Sequence, residues 1–436
     1  MRNKVLALLF LCISCTLYSQ NYKVIVEKSD QGMKLLVDGK DFMINGMNWD
    51  YVPIGKNYEY SLWKQSDELI KAALDAEMSL LKNMGVNTIR VYTGMQPKWI
   101  TYVYETYGIY TMLNHTFGRY GLTINGVWTP VTEYKDPKTK ILLLAEVTAM
   151  AKEYKDTPGL LLFLLGNENN YGLFWSGAET EDFPEGDEKK KFIGERLGRP
   201  MYKLMNDAAI KMKSINNNLP IAICNGDLLF AEIIAEECTD IDIYGTNMYR
   251  GKSFTDAFER VKKQLDMPIL FTEFGADAFN VISNEEDQEM QAFYMVENWK
   301  EIYQNASGLG KSGNAIGGFT FQFSDGWWKY GQTKNLDLHD NNASWFNRGY
   351  NLDIDGNNNN MNEEWFGVCA KGPTNSKGLY TLYPRAAYFA LQEVHQLNPF
   401  LKEMNLTIIS EHFKKIRLKK HVLKAKEHNK SLLKDE

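Results

Sequence analysis

With 436 residues, 44% of them hydrophobic and 24% charged, the chain has the composition of a folded globular protein long enough to bury a large core. A formal net charge of −6 argues against a nucleic-acid partner, which would select a basic surface. Only five cysteines are present, and two of them, Cys12 and Cys15, lie at the extreme N-terminus, so a disulfide-built scaffold is excluded.

Residues 1–20 open with Arg2 and Lys4, continue as an apolar run from Val5 to Cys15 and end in small and polar residues. That three-part pattern predicts a secretory signal cleaved near Ser19 or Gln20, because the run is too short to span a bilayer. The mature protein is then exported, to the periplasm, the cell surface or the medium; a lipid anchor on Cys15 is the alternative. No later stretch is long and apolar enough for a membrane helix, so no stable membrane insertion is expected. Cys224, Cys238 and Cys369 remain, read as buried thiols, with a Cys224–Cys238 bridge as the alternative.

Residues 21–40 read as a short hairpin leading into a first strand from Phe42 to Met47. Helical periodicity then runs from Ser66 to Met84, with Gly85 as a stop, before the β-branched strand 87–92. Further strands are expected at 108–114, 160–165, 219–224, 240–249, 267–275 and 317–326. Helices are expected at 138–154, 196–215, 254–265, 285–303 and 384–395. Eight strands alternating with helices predict an α/β protein, a (β/α)8 barrel over residues 41–400, with an open doubly wound sheet as the alternative. After the eighth strand comes an insertion of about 60 residues, 324–383, rich in Asn, Gly, Asp and Trp; a loop of that length is usually functional. The tail, 401–436, holds ten basic and five acidic residues and reads as a basic helix or linker.

In a (β/α)8 barrel chemistry sits at the C-terminal ends of the strands. Taken in order, those ends offer Asn48-Trp49, Arg90 with Tyr92, Asn114-His115, Asn167-Glu168, Asn247 with Tyr249, Glu273, and Gln322 with the run Ser324 to Trp328. Only the fourth and seventh strands end in glutamate. Two carboxyl groups facing each other across a barrel mouth suit glycosidic bond cleavage, where one is a protonated acid and the other an anion. Arg90 is placed to keep Glu273 ionised, leaving the less compensated Glu168 protonated. A single strand-end glutamate is more often a cap or a surface ion-pair partner; two, with Arg90, Asn167 and Tyr249 at neighbouring ends, point to a site.

The segments "GNE" (166–168), "NMY" (247–249) and "TEFG" (272–275) resemble the catalytic barrels of clan A glycoside hydrolases. "GVNTIRVY" (85–92) and "DIYGTNMYRG" (242–251) are most similar to the family two barrel and to the family seventy-two β-1,3-glucanosyltransferases. The resemblance covers roughly residues 40–395. It implies a retaining mechanism with Glu168 as acid/base and Glu273 as nucleophile, Asn167 on the sugar 2-hydroxyl, and Tyr249 and Arg90 orienting Glu273. The amides around Glu168 are expected to bind sugar hydroxyls. The chain departs from family two in having no β-sandwich before the barrel and in its strand-eight insertion.

Sugar rings present an apolar face, so aromatic side chains at the mouth are candidate platforms. Trp49, Trp175, Trp327, Trp328, Trp345 and Trp365 fall in top-face segments, with Trp327 or Trp328 favoured, and His115 is a candidate substrate contact. The expected partner is a polysaccharide or oligosaccharide, a β-linked glucan or related glycan. A glucanosyltransferase that passes the sugar to another sugar is the near alternative, and a non-catalytic carbohydrate-binding barrel the distant one. No cofactor or metal is expected. "GLGKSG" (308–313) matches a dinucleotide fingerprint but lies between a helix and a following strand, the reverse of the required order. "DIDGNNNNMNEE" (353–364) has the composition of a calcium loop without its spacing.

Overall fold

A computed structural model describes residues 23–92, 94–173, 187–329 and 331–435. Eight parallel strands, Ile44–Asn48, Thr88–Val91, Tyr110–His115, Leu160–Leu165, Ile221–Gly226, Ile243–Asn247, Ile269–Phe274 and Ala315–Thr320, pair in chain order, and the eighth closes on the first. This is the (β/α)8 barrel. Its strands are apolar runs because side chains point alternately into the barrel and against the surrounding helices, and both environments are dry. Leu160–Leu165 is the clearest case, buried at all six positions.

Local signals set many element ends. Asp67–Met84 begins where the Ser66 hydroxyl accepts the Leu69 N–H and ends at Gly85, which takes the left-handed conformation (φ 87°). Pro137–Tyr154 starts one residue earlier than its periodicity suggests, capped by Asp136. Three helices were not expected from the sequence: Pro97–Tyr107, Glu188–Ile193 and Ala231–Glu237. Each is short, six to eleven residues, so its apolar positions do not repeat often enough to mark a period.

The N-terminal segment is a three-stranded antiparallel sheet, Val24–Ser29, Gly32–Val37 and Lys40–Phe42, one strand more than a hairpin. It covers the closed end of the barrel, where Val24 N–H donates to Asn218 O and Met33 N–H to Gly313 O. The "GLGKSG" turn is part of this contact: Gly308 N–H donates to Gln31 O at 2.9 Å. The tail forms two helices, Leu406–Lys415 and Leu418–Asp435, that bury Ile409, Phe413 and Ala425 against the last barrel helices. Cys224, Cys238 and Cys369 are free and buried.

The insertion after strand eight is anchored at its base by Asp325 and Arg385, whose two hydrogen bonds are each 2.7 Å. From there it crosses the mouth in two directions. Gly55 N–H reaches Leu336 O, and the Asn57 amide reaches Gln332 O, tying it to the loop after strand one. The Asn347 amide donates to Tyr249 O, Tyr350 Oη to Gly275 O, and Val281 N–H to Asp353 Oδ1, tying it to the loops after strands six and seven. The mouth is thus walled along strands six, seven, eight and one.

Candidate active site

Arg90 is fully buried and its donors organise the floor of the mouth. Nη1 donates to Glu273 Oε1 at 2.8 Å and to Thr272 O at 3.1 Å; Nη2 donates to Asn114 Oδ1 at 2.8 Å and Asn167 Oδ1 at 2.7 Å. One guanidinium therefore joins strands two, three, four and seven. A buried charge is tolerable only when so matched, and the planar fork suits this role better than an ammonium group would.

Glu273, 7% exposed, is held at both oxygens. Tyr92 Oη donates to Oε1 at 2.7 Å beside the Arg90 contact, and Tyr249 Oη donates to Oε2 at 3.2 Å. Burial, with the negative charge of Glu273 as the next cause, raises the pKa of both phenols, so they remain donors. Two phenols and a guanidinium hold the carboxylate in place and aim it into the mouth.

Glu168 stands opposite under different conditions. It follows Gly166 (φ 86°), where an added Cβ would lie 2.6 Å from Asn169 Oδ1, and itself takes a left-handed φ of 58°. This turn throws its side chain over the end of strand four. Among the described residues its side chain accepts one hydrogen bond, from Asn247 Nδ2, 3.0 Å from Oε1. Burial, and then the negative charge of Glu273, raises its pKa from 4.5 to about 7. The two carboxyl groups of the site thus sit in unlike surroundings, Glu273 under three donors and Glu168 raised in pKa by burial. Asn247 connects them: its Oδ1 accepts from Thr272 Oγ1 at 2.7 Å and Arg90 Nη1 at 3.3 Å, which turns the amide N–H toward Glu168. Beneath it lies Cys224, its thiol 3.2 Å from Asn247 Oδ1 and its pKa pushed up to about 11 by burial.

The amides after Glu168 differ from the sequence expectation. Asn169 Nδ2 donates to Phe117 O and Tyr134 Oη, while its Oδ1 accepts Asn167 N–H; Asn170 pairs with both backbone groups of Gly226. These two side chains hold loops rather than facing the mouth. Asn167 stays at the site, its Oδ1 on Arg90 and its Nδ2 donating to Tyr120 Oη at 2.8 Å.

Two other candidates point elsewhere. Trp49 is 2% exposed, with its indole N–H on Glu77 Oε2 at 2.6 Å, and belongs to the core. His115 follows Asn114 on the same strand; because Asn114 faces the barrel axis, His115 faces outward and lies 3.4 Å from Glu146 on the neighbouring helix. Trp175 lies outside the described residues. Trp327 and Trp328 are part-buried in the insertion, and the indole nitrogens of both are enclosed without a hydrogen-bond partner among the described residues. Trp327 stacks on His339 (4.8 Å, 5° between planes), which stacks in turn on Trp365, while Trp328 packs against Tyr58 at 5.9 Å. Trp345 packs against Tyr249. Among the described residues no group of His, Cys, Asp and Glu side chains could hold a metal ion.

No family model and no curated protein sequence matches the chain. Solved structures do. The GH2 beta-galacturonidase from Eisenbergiella tayi bound to galacturonate is 14% identical, with a TM-score of 0.52, over 87% of this chain and 55% of that one. The beta-D-glucuronidase from Dictyoglomus thermophilum is 16% identical, with a TM-score of 0.51, over 87% and 55%. ScGas2, in complex with compound 8, is 17% identical, with a TM-score of 0.50, over 86% and 68%. The chain shares the barrel fold of these structures. It spans about half the length of the first two of these structures, and the part shared with such glycosidases is the barrel that carries Glu168 and Glu273 at one mouth.

Sequence reasoning left Tyr120, Thr272 and Cys224 out of this site. Tyr120 lies in a loop with no periodic signal. Thr272 and Cys224 sit within strands whose residues read as core, and only the phase of the closed barrel turns them toward Asn247.

Proposed function

We propose that the protein is a retaining glycoside hydrolase that cleaves a β-linked glycan by double displacement, with Glu273 as nucleophile and Glu168 as acid/base. The observation that carries this reading is the unequal treatment of the two carboxyl groups. Glu273 accepts hydrogen bonds from Arg90, Tyr92 and Tyr249, whereas burial raises the pKa of Glu168 to about 7. In the first step a Glu273 oxygen bonds to the anomeric carbon as the bond from that carbon to the leaving oxygen breaks, and Glu168 gives that oxygen its proton. In the second step Glu168 takes a proton from water, the water oxygen bonds to the anomeric carbon, and the ester to Glu273 is released. Asn167 binds the sugar 2-hydroxyl through its amide, and Trp327 and Trp328 offer ring faces to the sugar.

The substrate class we favour is a β-glucan, with a β-1,3-linked chain first and β-mannan and β-galactosides next. The aromatic mouth, the resemblance of "GVNTIRVY" and "DIYGTNMYRG" to the family two and family seventy-two barrels and the signal-like leader support an exported enzyme meeting polymer outside the cell. That leader lies outside the described residues. Among the described residues no helix is long and apolar enough to cross a membrane.

Stereochemistry tests the mechanism. An NMR time course on a cleaved β-oligosaccharide is expected to show the β anomer first, and Glu273→Ala to abolish turnover. Glu168→Ala is expected to recover on substrates whose leaving group needs no proton, or with added azide. The α anomer appearing first would overturn the nucleophile assignment.

A further inference from the structure

The loop after strand three brings one more charge to the mouth. Arg119 precedes Tyr120, whose hydroxyl accepts the Asn167 amide. Its guanidinium lies over the Tyr120 ring, with the central carbon 5.4 Å from the ring centroid. On its other side it covers the turn that follows Glu168: a Cβ built on Gly172 would meet Arg119 Nη1 at 3.2 Å and Cδ at 3.5 Å. The Arg119 N–H donates to Thr116 O at 3.0 Å, fixing the backbone that carries it. The cation thus lies between the Tyr120 ring and the Gly172 turn, near enough to Glu168 to oppose the rise in that carboxyl's pKa.

Four other cations near the mouth are matched by carboxylates. Arg90 is paired with Glu273, Lys329 with Asp340, Arg385 with Asp325 and Arg250 with Asp256, at 2.7 to 3.0 Å. Among the described residues no carboxylate lies within ion-pair distance of Arg119, and its Nε is enclosed without a hydrogen-bond acceptor. A desolvated donor left unmatched costs stability. Such a group persists where a ligand completes it, and a guanidinium fork is best completed by a planar or tetrahedral oxyanion.

Its position says which sugar carries that anion. Glu168, on strand four, protonates the departing oxygen, so the departing residue lies toward strands three and four, beside Arg119. The sugar bound to Glu273 lies toward strand seven, where the insertion walls the mouth. We propose that Arg119 binds an acidic group, a carboxylate or a sulfate ester, on the sugar at the leaving-group side of the scissile bond. The inference rests on Glu168 being the acid of the proposed reaction and adds a charged aglycone to its substrate.

The test measures binding without turnover, by calorimetry on Glu273→Gln protein. The probes are laminaribiose, the same disaccharide oxidised to a carboxylate at C6 of its reducing-end residue, and the disaccharide 6-sulfated on that residue. The expected result is that one acidic probe binds about 10-fold or more tighter than the neutral one, with the advantage shrinking as salt rises. Which acidic probe gains identifies the anion. Arg119→Gln in the same background should erase the preference, and Arg119→Lys, which keeps the charge but not the fork, should retain part of it. Equal binding of neutral and acidic probes, or a preference that survives in Arg119→Gln, overturns the proposal. So does an Arg119→Gln enzyme with a displaced pH profile and equal losses on neutral and acidic substrates, because Arg119 would then act only on Glu168. If no probe binds and the wild type turns over no β-glycoside, the glycosidase reading falls with it.

Discussion

Replacing Glu168 by Gln removes a carboxyl group whose pKa the fold raises from 4.5 to about 7, chiefly by burial. The folded state therefore holds this proton more tightly than the unfolded chain does. Below pH 4.5 the side chain is neutral in both states, and no penalty exists. As pH rises from 4.5 through about 7 the folded protein must ionise a group it has desolvated, and stability is lost; above that window the loss is complete. At about 1.4 kcal/mol per pH unit the full penalty is about 3 kcal/mol, and partial solvent access brings it nearer 2. Glutamine keeps the shape and can still pair with Asn247, but it never ionises. Glu168→Gln is thus expected to gain on the wild type between pH 4.5 and 8 by about 2–3 kcal/mol, roughly 2–5 °C in Tm for a chain of this size. Urea unfolding followed by tryptophan fluorescence at half-unit pH steps measures the difference. A wild-type-to-variant difference that stays flat across that range would refute a raised Glu168 pKa and, with it, the assignment of Glu168 as the proton donor at neutral pH.

Tyr92→Phe removes the 2.7 Å donor on Glu273 Oε1 while keeping the ring beneath Arg90; kcat is expected to fall about 10- to 100-fold, equivalent to about 1.5–3 kcal/mol for a charge-assisted bond, with Tm nearly constant. Arg90→Leu strips the buried partner from Glu273 and from two asparagines, so a loss of about 3–5 kcal/mol is expected in denaturant unfolding; the double variant Arg90→Leu, Glu273→Leu should recover part of it. Gly166→Ala forces a Cβ into a left-handed backbone 2.6 Å from Asn169 Oδ1, and a loss of about 1–3 kcal/mol is expected together with misplacement of Glu168; circular-dichroism melts and kcat read the two effects separately.

The sequence by itself determined the architecture and the two glutamates. Buried strands are apolar runs ended by polar residues, a pattern local enough to read without a structure, and Leu160–Leu165 follows it residue for residue. Arg90, Asn167, Asn247 and Tyr249 were likewise visible as polar residues where a strand stops. What only the tertiary structure decided is direction. Neighbouring strand residues point to opposite faces, and the phase is set by closure of the barrel, so Asn114 meets Arg90 while His115 turns to Glu146. Trp49 and the pair Asn169 and Asn170 were expected at the mouth from their place in the chain, yet the core and the adjoining loops claim them. Thr272, Cys224 and Arg119 matter for the opposite reason. Their local sequence does not say where their side chains point, and each meets a residue 25, 23 or 53 positions away, Asn247 for the first two and Gly172 for the last, brought near only when eight strands close into a ring.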